Sequence, residues 1–286
     1  MFKRIGSYSI LVAIFLVLML FAGCGDGQPA GLGEQGPEQL GEEGGGETVA
    51  TPAEITVSAA ASLTDALEEI KVMYEAESVN TLVMNYGSSG ALQQQIEEGA
   101  PASIFISAAQ KQMNDLQDQG LIDEDSRIDL LENLVVLIVP ASDANADIVG
   151  FESLGADSLV NLAIGEPESV PAGRYANEIL TALELWDGLE SNDKLILAKD
   201  VRQVLTYVET GNVDAGIVYM TDALTTEKVK VIDSAPVGTH TPVTYPAAII
   251  KDCAEQEAAE DFMAFLQGDK TAAVFDKHGF TFLAGK

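Results

Sequence analysis

The sequence predicts an α/β protein whose sheets are covered by helices on both faces. Two observations lead there: nine short runs rich in β-branched and apolar residues recur along the chain, and helical apolar periods lie between several of them. A third is the composition, 47% apolar against 21% charged over 286 residues, which supplies an ordinary core. That length suits one large domain or two modest lobes.

The strand-like runs fall at residues 55–59, 81–86, 104–107, 134–139, 162–164, 195–198, 215–219, 229–232 and 243–250. Leu63, Ala66, Leu67 and Ile70 recur at i, i+3, i+4 and i+7, which makes one apolar helical face. Ala176, Ile179, Leu180 and Leu183 repeat that spacing, as do Val201, Val204, Leu205 and Val208. No fixed-period repeat is visible.

Ahead of this body the chain reads differently. Lys3 and Arg4 precede 19 uncharged residues, Ile5 to Gly23, the pattern of an export signal. The run closes on Leu20-Phe21-Ala22-Gly23-Cys24, which resembles a bacterial lipobox with Phe21 where Leu is commonest. Residues 1–23 are therefore expected to be a lipoprotein signal peptide and Cys24 the lipidated residue of a membrane-anchored extracytoplasmic protein. A retained anchor is the alternative, because 19 uncharged residues can just span a bilayer. Residues 24–53 hold nine Gly, three Pro, six acidic residues and no basic one, with no apolar period, and read as a flexible acidic tether.

The chain carries 45 acidic and 15 basic residues, a formal charge of −30. Nucleic acid is thereby excluded as a partner, since binding it requires Lys and Arg to displace phosphate counterions. Without the signal and tether, residues 54–286 retain 39 acidic and 13 basic residues, so the acidity belongs to the body.

Four helix starts share a character. Ser62-Leu63-Thr64-Asp65 follows the first strand, and Gly87-Ser88-Ser89-Gly90 follows the second. Val170-Pro171-Ala172-Gly173 opens a third helix with Pro at its first position, and Asp200-Val201 opens a fourth. In open α/β sheets such starts face the crevice beyond the strand ends, where free N–H groups and the helix dipole attract anions. Taken alone, each start is better explained as an ordinary cap, worth about 1 kcal/mol without any ligand; it is the four together that point to a ligand. Asp200 reads as such a cap, and its carboxylate would repel an anion, which leaves the Val201 N–H as the donor there. Arg174 could pair with an anion but better suits the exposed face of its helix.

Other chemistries have less support. His240 and His278 stand 38 positions apart with no metal-binding spacing, and Cys253 has no partner nearby in sequence. Gly87-Ser88-Ser89-Gly90-Ala91 nearly matches a nucleophile elbow, and His278 follows late in the chain, so a serine hydrolase using Ser89 stays open as an alternative. The motif lacks its last Gly.

The residues 55–66 (ITVSAAASLTDA), Gly87-Ser88-Ser89-Gly90-Ala91-Leu92, the segment 95–102 and Gly165-Glu166-Pro167-Glu168-Ser169-Val170-Pro171-Ala172-Gly173 resemble the substrate-binding proteins of molybdate ABC transporters. So do Tyr175-Ala176, Asp200-Val201-Arg202, Val208-Glu209-Thr210-Gly211, Gly216-Ile217-Val218-Tyr219 with Thr221-Asp222-Ala223, and Gly279-Phe280-Thr281. The resemblance spans residues 54 to 282. It implies a two-lobe periplasmic-binding-protein fold of type II with the ligand cleft between the lobes: residues 54–136 plus 240–286 in lobe one, 137–239 in lobe two. It also implies that the Ser62 and Ser89 hydroxyls, the Ala172 and Val201 N–H groups and the Tyr219 phenol hold a tetrahedral oxyanion. Tyr219 rests on the resemblance alone. The implied function is capture of molybdate or tungstate for an ABC permease and its ATPase, by a monomer, without catalysis, cofactor or metal-cation ligands. A receptor of the same fold for another oxyanion such as sulfate is the nearest alternative.

Overall fold

The computed structural model describes residues 51–142 and 147–284. The expected signal peptide, Cys24 and all but the last three residues of the expected tether lie outside the described residues.

Two sheets organise the body. The first has strand order β11-β4-β10-β3-β1-β2, formed by β1 (Glu54–Ala60), β2 (Thr81–Gly87), β3 (Ile104–Ile106), β4 (Ile128–Asn133), β10 (Val243–Ile249) and β11 (Thr281–Phe282). The second runs β7-β6-β8-β5-β9, from β5 (Val135–Pro140), β6 (Leu162–Gly165), β7 (Leu195–Ala198), β8 (Ala215–Tyr219) and β9 (Val229–Ser234). β1 is parallel to both its neighbours, and β6 is parallel to β7 and β8, whereas β10 and β5 run antiparallel to the strands beside them. The chain changes sheets at Leu134, between β4 and β5, and returns between β9 and β10.

Central strands are apolar on both faces because helices cover both faces. All six residues of β5 are buried, and Ile55, Val57 and Ala59 of β1 are fully so. The edge strand β2 instead alternates, with Leu82 buried between exposed Thr81 and Val83. The three periodic faces form α1 (Thr64–Glu77), α4 (Pro171–Ala182) and α6 (Val201–Glu209), with Ala66, Leu67 and Ile70, then Ala176, Ile179 and Leu180, then Val201, Val204, Leu205 and Val208 buried. A short 3₁₀ turn at Ala61–Leu63 precedes α1, so Ser62 belongs to that turn rather than to the helix.

The nine expected strands are present, and β4 and β11 are additional. β4 carries exposed Asp129 and Glu132 among its apolar residues, and β11 has two residues, too few for a period. Between β2 and β3 runs α2 (Ser89–Glu97), and α3 (Gln110–Asp118) follows β3. α5 (Trp186–Ser191) lies between α4 and β7, and the short α7 (Met220–Ala223) follows β8 directly.

Close backbone approach fixes two helix starts. A Cβ on Gly173 would stand 2.0 Å from the Gly165 carbonyl oxygen, so glycine alone lets the first turn of α4 seat on the end of β6. A Cβ on Gly90, in the first turn of α2, would stand 2.4 Å from the Ser169 carbonyl oxygen, to which the Gly90 N–H donates at 2.9 Å. That bond joins a helix on the first sheet to the loop ahead of a helix on the second.

Candidate functional site

Where the two halves meet, the starts of α1, α2, α4 and α6 and the end of β8 surround one cavity. Ser62, Ser88, Ser89, Ala172, Val201 and Tyr219 all line it. All five residues expected to contact an oxyanion are thus brought together, and each is at most 4% exposed. The cavity is small: its free volume of about 10 Å³ is roughly what one water-sized group needs.

The donors reach this cavity by different routes. Ser88 is the N-cap of α2 and accepts the Ala91 N–H at 3.3 Å, which leaves Ser89 in the first turn with its side chain inward. Ser89 Oγ accepts the Ala108 N–H at 2.9 Å, so its own proton remains to be donated. Ser62 Oγ lies 2.9 Å from the Tyr245 hydroxyl, itself fully buried.

On the other half the donors are main chain. The opening N–H groups of a helix have no acceptor within it. Val170, the N-cap of α4, makes no side-chain cap bond, and Pro171 has no N–H, so Ala172 carries the first amide of that helix. At α6 the Asp200 carboxylate turns to the Gln203 N–H at 2.8 Å, the ordinary cap expected of it. Val201 is the first residue of the helix, so its N–H has no acceptor within it, and Val201 lines the cavity.

Tyr219 closes the set. Its hydroxyl is buried and makes no hydrogen bond to the protein. Burial pushes its pKa well above the usual 10, with the neighbouring Tyr245 and Tyr175 adding to the effect, so it stays a neutral donor. Leaving such a group unmatched costs about 1–3 kcal/mol. A ligand oxygen in the cavity would offset that cost.

No Lys or Arg lines the cavity, and Asp200, its one charged lining residue, is committed to its cap. Arg174 pairs with Glu178 at 3.5 Å and lies over the Tyr175 ring, outside this lining. Arg202, directly after Val201, ties the halves together from behind. Its Nη2 donates to Asp65 Oδ2 at 2.6 Å and to the Ser62 carbonyl at 3.4 Å, while its Nε stands 2.8 Å from Asp222 Oδ1, off the line of a hydrogen bond. Burial raises the Asp222 carboxyl to about 6, against the pull of Arg202.

The profile of the family described as bacterial extracellular solute-binding protein matches residues 55–281. The chain belongs to that family. It is 44% identical over 282 residues to a Bacillus subtilis protein named as an ABC transporter substrate-binding lipoprotein, YvgL, covering 98% of this chain and 99% of the relative. It is 40% identical over 239 residues to the molybdate-binding protein ModA of Haemophilus influenzae, covering 82% of this solute-binding protein and 93% of that one. The solved periplasmic molybdate-binding protein of Azotobacter vinelandii superposes with a TM-score of 0.72 at 26% identity, covering 79% and 98% of the two chains.

The fold is accordingly the two-lobe, type II architecture of periplasmic binding proteins, as expected. A binding protein, not a hydrolase, also fits the surroundings of Ser89. Its Oγ accepts from a backbone amide, and His278, which a triad would need, lies 3.0 Å from Glu69. Sequence reasoning missed Tyr245, Asn133 and Arg202 as neighbours of the site. Tyr245 is 183 positions from Ser62 and sits in a buried strand with no local signal of its role.

Proposed function

We propose that this solute-binding protein captures molybdate or tungstate outside the membrane and delivers it to an ABC permease driven by its ATPase. The observation that carries the reading is the convergence of neutral donors from both halves on one small cavity without a cation: two hydroxyls, two helix-start amides and a phenol. A desolvated dianion is tolerable only when its oxygens are fully hydrogen-bonded, and O–H and N–H groups do this without a counter-charge. The relatives named as molybdate-binding proteins support the choice of ligand over sulfate. An array of donors also disfavours any oxyanion that keeps a proton, because that proton would find no acceptor.

In this reading Ser62, Ser89, Ala172, Val201 and Tyr219 hold the oxyanion, and residues 54–136 with 240–286 form one lobe and 137–239 the other. The change of sheet at Leu134 supports that division and favours a boundary two residues earlier. Contacts from both lobes stabilise the closed form, which the permease recognises. The protein acts as a monomer held at the membrane by lipid on Cys24. The lipobox-like sequence and the lipoprotein name of YvgL support that anchor.

Calorimetric titration with molybdate, tungstate, sulfate and phosphate tests the reading. Tight binding of the first two alone is expected; comparable sulfate affinity, or no heat with molybdate, would overturn it. For the anchor, Cys24→Ala is expected to abolish fatty-acid labelling of the protein, and labelling that persists would refute it.

A further inference from the structure

Behind Ser62 lies a chain of hydrogen bonds whose direction is set from one end. The Leu134 N–H, which can only donate, gives its proton to Asn133 Oδ1 at 2.8 Å. That bond fixes the orientation of the carboxamide, which would otherwise be ambiguous. Asn133 Nδ2, now also an obligate donor, serves Thr221 Oγ1 at 2.9 Å and the Tyr245 hydroxyl at 3.1 Å. The Tyr245 oxygen therefore accepts from Asn133, and its proton goes to Ser62 Oγ at 2.9 Å. Ser62 Oγ is thereby an acceptor toward the protein, and its own proton is left for the cavity.

The side chains of the relay are buried: Asn133 is 7% exposed, Thr221 and Ser62 3% and Tyr245 not at all, whereas Leu134 at its start is an exposed residue. Burial and the nearby Asp222 carboxylate keep the Tyr245 phenol protonated, which the relay requires. Bonds linked in this way polarise one another in a low-dielectric interior. The relay starts at Leu134, where the chain passes from the first sheet to the second, and its Thr221 branch lies on the second half.

We propose that Tyr245, oriented by Asn133, is a positioning residue that turns the Ser62 hydroxyl into a one-way donor toward the bound oxyanion. The proposal rests on the oxyanion-binding reading above. Without Tyr245, Ser62 Oγ has no donor at its back and rotates freely, so it is no longer preset to donate into the cavity.

Calorimetry with molybdate on wild type, Tyr245→Phe, Ser62→Ala and the double variant tests it, with thermal unfolding monitored in each. The loss of one preset hydrogen bond predicts about a five- to tenfold weaker affinity for Tyr245→Phe. In the Ser62→Ala background the same substitution should cost less than about twofold, because the group it positions is gone. Equal losses in both backgrounds, or no loss in wild type, would overturn the proposal. If Tyr245→Phe does not fold, Asn133→Ala serves in its place, with a smaller loss that again vanishes without Ser62; a loss that persists there refutes the relay. A wild-type protein that gives no molybdate binding refutes the functional reading itself, an outcome distinct from either result.

Discussion

The two halves of the cavity hold donors of different kinds. The first sheet's half offers side chains: Ser62 and Ser89 present hydroxyls, and each is held from behind by a donor, Tyr245 or the Ala108 N–H. The second sheet's half offers main chain, the amides at the starts of α4 and α6, together with the Tyr219 phenol. A hydroxyl can rotate and can donate or accept, so it needs a second partner to set its direction. A backbone amide needs none, because the helix that follows it fixes where it points. The side-chain half therefore depends on buried polar partners, and the main-chain half on glycines and caps that seat each helix start.

Substitutions can break or sharpen this contrast. Ser89→Ala should have the largest effect. It removes a hydrogen bond to an anion worth ~1.5–3 kcal/mol, about ten- to a hundredfold in affinity, and also strands the Ala108 N–H, so both calorimetry and thermal unfolding should register it. Val201→Pro should weaken molybdate binding about tenfold while leaving the melting temperature nearly unchanged. Proline is accepted at the first helical position, where its ring takes the place of the N–H and keeps three side-chain carbons at this buried position. A large loss of stability would mean that the amide serves the fold rather than the ligand.

Tyr219→Phe should cost about three- to tenfold in affinity and leave the unliganded protein as stable as wild type or more so, since the hydroxyl has no partner in the protein. Lower stability without ligand would reveal a structural role instead. The smallest effect on affinity is expected at the link between the halves, where the readout is stability instead. Asp222 ionises near 6 in the folded protein, above an unfolded carboxyl near 4. The folded state therefore binds more protons between those values, and Asp222 makes the protein lose stability as pH rises from about 4 to 6. Asp222→Asn removes that contribution, so the variant's melting temperature relative to wild type should climb across the same window and level off above it.

Much of the architecture was legible in local pattern. Short β-branched and apolar runs marked nine strands, and the i, i+3, i+4, i+7 faces of Leu63 to Ile70, Ala176 to Leu183 and Val201 to Val208 marked three helices, because burial on one face imposes that spacing. β4 escaped because Asp129 and Glu132 interrupt its apolar residues. Four of the five candidate donors were visible as small residues or amides at helix starts. The character of each start is local; its convergence with the others is not.

By itself the sequence determined an acidic α/β body with four helix starts able to donate hydrogen bonds. Only the tertiary structure decided that these starts face one cavity, since they lie on helices of two different sheets. It also decided the direction of the Ser62 hydroxyl, which follows from Leu134, Asn133 and Tyr245, the last 183 residues away. The physical reason is range. Helix and strand periods and caps act over a few residues along the chain, whereas the orientation of a buried hydroxyl depends on whichever polar groups the fold brings within about 3 Å.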